Sequence, residues 1–119
     1  MANITIQKVE AIIVDLPTIR PHHLSMTVMR NQAMVILRFF SSDGIEGIGE
    51  ATTIGGLSYG EESRESMKLN FDTYFAPLLI GKDATNIHQI MYVLEKSIRG
   101  NRIVKSAVET ALLDAQGKR

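Results

Sequence analysis

The chain has 119 residues, 45% of them hydrophobic and 22% charged, with thirteen basic side chains against thirteen acidic ones and no cysteine. That length gives one domain with a modest core, and the balanced charge gives no general attraction to nucleic acid or an anionic membrane. The missing cysteines exclude a disulfide frame, a zinc–thiolate site and thiol catalysis, and suit a reducing compartment.

The N-terminal segment lacks a basic region before its apolar run, and Lys8, Glu10 and Asp15 interrupt that run, so it does not read as a signal peptide. No stretch approaches the roughly 18 apolar residues of a membrane span, and the expectation is a soluble cytoplasmic protein. A first strand is expected from Ile4 to Leu16, closed by Pro17, with a bulge where apolar parity slips between Ile6 and Val9. Residues 18–26 carry a second proline and no period, and read as a loop. A second strand is expected from about Met29 to Phe40, its run Ala33–Leu37 implying a central position. Asp43-Gly44 then predicts a two-residue hairpin turn, followed by a third strand from Ile45 to about Ala51.

After the glycine-rich stretch Gly47 to Glu61 the apolar period changes from two to 3.6. Met67, Phe71, Tyr74, Phe75 and Leu78 form one helical stripe stopped by Gly81. Capping-box spacing occurs at Ser58 to Glu61, although a start near Ser63 also fits. A second helix opens at Asn86, carries Ile87, Ile90, Met91, Leu94 and Ile98, and closes at Gly100. A third starts near Asn101 and packs Ile103, Val104, Ala107, Val108, Ala111, Leu112 and Ala115. Strands followed by helices predict an α+β fold: a three-stranded antiparallel meander followed by three helices. The last helix offers no stop beyond Gly117 and nothing to cover its apolar face, so the sequence looks interrupted.

Gly47 and Gly49 do not belong to a dinucleotide loop, because the third glycine position falls on Thr52 and no helix opens there. They predict close approach of another element to the sheet. Thr52 to Gly60 lacks charge and offers Ile54, Leu57 and Tyr59, a composition that fits a lid with glycine hinges as well as a loop tucked on its own domain. His22 and His23 make a poor metal pair, yet Arg20-Pro21-His22 could meet an anionic ligand. His88 is expected on a polar helix face, Lys105 and Glu109 as a weak surface pair, and Glu50 as a structural ion-pair partner. No catalytic constellation is evident.

Three motifs carry a resemblance: Asp15 to His22 (DLPTIRPH), Asp43 to Gly56 (DGIEGIGEATTIGG) and Ser106 to Arg119. Together they resemble the N-terminal part of the muconate cycloisomerases, the muconate lactonizing enzymes of the enolase superfamily. The resemblance implies an enolase-superfamily capping domain over residues 1–101, with residues 102–119 as its last helix or the start of a linker to a catalytic (β/α) barrel that is absent from this chain. In such enzymes a barrel lysine and a divalent metal, manganese or magnesium, handle proton transfer and stabilise an enolate while cis,cis-muconate becomes muconolactone in catechol degradation. By motif, Ile54, Tyr59 and His22 are the substrate-proximal residues, and His23 stands where many relatives have lysine. The resemblance further implies no catalytic residue and no metal ligand in this chain, no metal bound to the fragment, a dicarboxylate substrate shared with the barrel, and a homo-oligomer. The other readings are an isolated, self-associating cap, or the cap of a chloromuconate cycloisomerase, a succinylbenzoate synthase or a dipeptide epimerase.

Overall fold

The computed structural model describes residues 3–23, 28–53, 57 and 60–119. Strands β1 (Ile6–His23), β2 (Val28–Ser41) and β3 (Glu46–Thr52) form one antiparallel sheet in the order β1-β2-β3. The helical half follows: α1 (Arg64–Asn70), a π-helical turn (Phe71–Phe75), α2 (Ala76–Leu79), α3 (Ile87–Ser97) and α4 (Arg102–Lys118). Since α1, the π turn and α2 are continuous, the helices form three rods, as the sequence predicts.

The slip in β1 is a bulge at Gln7, between the pairs Ile6–Ser41 and Lys8–Phe40. Pro17 does not end the strand. It pairs with Asn31, the register then shifts, and pairing resumes at His22–Met29 and His23–Val28. An edge strand tolerates proline because it needs ladder donors on one side only. The β2–β3 connection is also longer than two residues: the Gly44 N–H reaches Ser41 O, Ser41 N–H reaches Ile45 O, and Gly44 takes φ +82°. This three-residue loop with a left-handed glycine suits the Asp43 carboxylate, which accepts the Ile45 N–H.

One sheet face is buried. Val35, Leu37 and Phe39 of β2 point into a core with Met67, Phe71, Phe75, Leu79, Leu94, Val108 and Leu112. Gly47 and Gly49 let α4 lie directly on β3: a Cβ at Gly47 would stand 2.1 Å from Ala111 O, and one at Gly49 2.0 Å from Ala107 O. The expected close approach is therefore real, and its partner is the alanine stripe of α4.

Helix side chains also cover the sheet edges. Asp114 accepts the Ile48 N–H and Lys118 donates to Glu46 O along β3, while Lys68 donates to Ala11 O along β1. Unpaired strand groups thereby find partners within the chain.

Two helical expectations need correction. Tyr74 is 60% exposed and outside the core, and the stripe ends on fully buried Leu79 where Leu78, only partly buried, was expected. Lys105 does not pair with Glu109 on the surface; it is buried, and its ammonium donates to Glu95 at 3.2 Å and to Ile98 O at the end of α3. His88 is exposed, as expected.

Candidate functional site

β1 and β3 run parallel to one another on either side of β2, so both C-terminal ends lie at the same end of the sheet. The two segments singled out in the sequence therefore leave from a common end. β3 stops at Thr52 opposite Met34, whereas β1 and β2 remain paired to His23–Val28. Six more residues of β2 carry this two-stranded arm roughly 20 Å past the end of β3. His22 is four strand positions beyond the level of Ala33, roughly 13 Å.

Of the predicted substrate-proximal residues, His22 has its backbone on β1 opposite Met29, and its side chain lies outside the described residues. Ile54 and Tyr59 also lie outside them. Leu57, between the two, is 65% exposed, and Arg20 and His23 on the arm are exposed as well. Glu50 is exposed and accepts the Thr52 hydroxyl at 2.7 Å; among the described residues it pairs with no cation, which corrects the expectation of a structural ion pair.

The glycine-rich segment is held firmly on both sides. At its start the Thr53 N–H and hydroxyl both donate to Ala33 O. At its end three consecutive residues each grip a different element. Glu62 accepts the N–H groups of Ile103 (3.0 Å) and Val104 (3.4 Å) in the first turn of α4. Ser63 caps α1 in a reciprocal box with Ser66. Arg64 is ion-paired with Asp15 of β1 and with Glu65, and the Asp15 bond is the leading cause of its raised pKa.

Glu62, Arg64 and Asp15 were not among the sequence candidates. Ser63 showed its cap in a local spacing, but the partners of Glu62 lie 41 and 42 residues away, and nothing local announces such a contact. Among the described residues no group of three or more His, Asp or Glu side chains could hold a metal ion. The described donors by themselves do not fit a resident divalent metal. No helix among them is long and apolar enough to cross a membrane.

A three-stranded antiparallel meander backed by helices, with both outer strands ending at the same end of the sheet, defines a small α+β domain. Residues 8–119 match the family described as Mandelate racemase / muconate lactonizing enzyme, N-terminal domain, and the chain belongs to that family. It is 54% identical over 119 residues to muconate cycloisomerase 1-1 of Acinetobacter lwoffii, covering 100% of this chain and 31% of that protein. The crystal structure of muconate lactonizing enzyme from Pseudomonas fluorescens complexed with muconolactone superposes with a TM-score of 0.97 at 60% identity, over 99% of this chain and 32% of the other. The 2-chloromuconate cycloisomerase of Rhodococcus opacus 1CP gives 0.94 at 44% identity, over 97% and 31%. The chain spans about a third of the length of the relatives it matches.

Proposed function

We propose that this chain is the substrate-capping domain of a muconate cycloisomerase, the part of a metal-assisted enzyme that converts cis,cis-muconate to muconolactone. The observation that carries this reading is identity of 54–60% along the whole chain to muconate enzymes, against 44% to a chloromuconate enzyme. The convergence of the two segments on one sheet end supports it. In this reading residues 1–101 are the cap proper and residues 102–119 its last helix, which supplies Val104, Val108 and Leu112 to the same core.

The reaction is an isomerisation in which one substrate carboxylate adds across a double bond and a lysine on the barrel delivers the proton. Manganese or magnesium would be held by barrel residues, since the described donors here do not fit a metal. The cap's share is recognition and exclusion of water. Ile54 and Tyr59 bring apolar and amphipathic contact, and His22 approaches from the arm. A homo-oligomer in the cytoplasm belongs to the same reading.

The test is lactone formation. The intact protein carrying this chain is expected to turn over cis,cis-muconate with manganese, and the isolated 119 residues are expected to give none. Tyr59→Phe and Ile54→Val should alter KM for muconate relative to its chlorinated analogues. Faster turnover of a chloromuconate, succinylbenzoate precursor or dipeptide by the intact protein would move it to one of those classes.

A further inference from the structure

Helix α4 begins without a cap of its own. Asn101, the residue before it, takes the left-handed conformation at φ 53°, and its side chain makes no bond to the first turn. Its amide instead donates to Arg99 O and its carbonyl accepts from Asn70. The exposed donors of a helix's first turn need partners, and a carboxylate there is favoured further by the positive end of the helix dipole. That carboxylate arrives from Glu62, half-buried and on a different element.

Its contact ties three things together. Residue 62 stands two positions after Gly60 and one before the cap of α1, and α4 lies on β3 through Gly47 and Gly49. With Arg64 on Asp15, the chain leaving the glycine-rich segment is attached to both outer strands of the sheet, to β1 directly and to β3 through α4.

We propose that Glu62 is a positioning residue for substrate binding: its carboxylate on the first turn of α4 fixes where residues 60–64 meet the sheet end. This rests on the reading of the chain as a muconate-cycloisomerase cap. Without the bond, residues 60–64 sample other placements and only a fraction of molecules present the substrate-side residues correctly. The apparent affinity falls by that fraction, whereas turnover at saturation, set by barrel groups, stays the same.

The experiment compares wild type, Glu62→Ala and Glu62→Gln in the intact protein, by steady-state kinetics on cis,cis-muconate and by amide hydrogen exchange. Loss of a side-chain cap sets a ceiling of roughly a fivefold rise in KM for Glu62→Ala, with kcat within about twofold of wild type. Glu62→Gln, which keeps one acceptor oxygen, should fall between the two. The amides of Ile103 and Val104 should exchange roughly fivefold faster in Glu62→Ala. Faster exchange with unchanged KM would make Glu62 a stability cap only and overturn the proposal, as would unchanged exchange. Wild-type protein inactive on muconate would instead overturn the assigned reaction; binding of whichever substrate it does turn over, compared across the same three proteins, would then decide the role of Glu62.

Discussion

Two glycines make the most direct residue-scale demand. Alanine at position 49 would drive a methyl group to 2.0 Å from a backbone oxygen of α4, which cannot rotate away as a side-chain tip could. The helix would have to lift from β3 by more than an ångström, taking Ala107, Val108 and Ala111 out of contact. Overpacking against backbone places Gly49→Ala at the upper end of the usual range, about 3 kcal/mol of destabilisation by urea titration. Gly117 is the internal control: it lies within α4 with nothing within 4 Å of a built Cβ, so Gly117→Ala should be neutral or stabilising, by up to about 1 kcal/mol. A loss below about 1 kcal/mol for Gly49→Ala would mean that α4 slides freely on the sheet. Glycines at alternate strand positions announced a close approach, yet the identity of the approaching helix needed the fold, because β3 and α4 are some sixty residues apart in sequence.

At the scale of an element, the rod from Arg64 to Leu79 shows where periodicity misleads. Its buried residues are Met67, Phe71, Phe75 and Leu79, each four after the last. On an α-helix with about 100° per residue, three such steps would carry Leu79 about 120° away from Met67. The π turn over Phe71–Phe75 absorbs that drift, and it turns Tyr74 outward. Pro77 favours the same solution. It has no N–H for an i−4 carbonyl, and the Ala76 N–H instead bonds Phe71 O across five residues. Deleting exposed Thr73 should convert the rod to plain α-helix with core residues spaced by four, three and four. That deletion alone leaves a proline inside an α-helix and should cost about 3 kcal/mol. Combined with Pro77→Ala, it should recover most of the loss in thermal unfolding. If both variants were equally unstable, the π turn would be required by packing and not by the proline. A sequence reading that assumes 3.6 throughout assigns Tyr74 to the core, since a single extra residue leaves no local mark. The proline in β1 misleads similarly: its cost depends on whether the strand is an edge, which is a fact of topology.

For the whole molecule, the order of strands and helices was legible because each period, turn and cap is local; the segments flanking the candidate site were legible as anomalies of composition. Their anchors were not, because Glu62 with α4 and Arg64 with Asp15 join parts far apart in sequence. Carboxylate contacts, both local and long-range, also recur across the fold, and several of them make its stability depend on acid. The Lys118 ammonium, and then the Ile48 N–H, hold the Asp114 carboxyl below its ordinary 3.8. The Thr85 hydroxyl, and then its N–H, do the same for Asp83, beside the bridge between Thr5 and Asp83. A carboxyl depressed in the folded state stabilises fully above its unfolded pKa, and that contribution disappears as pH falls through the folded value. The melting temperature should therefore be nearly flat from about pH 7 to 5 and fall steadily below about pH 4. Asp114→Asn keeps an oxygen for the Ile48 N–H but has no proton to take up. Its melting temperature should start lower at pH 7 and converge on wild type by about pH 2, as measured by circular dichroism. Parallel curves for the two proteins would mean that the contact of Asp114 with the β3 edge contributes nothing to the acid response. The loss would then rest on the remaining depressed carboxyls, Asp43, Asp83 and Glu65.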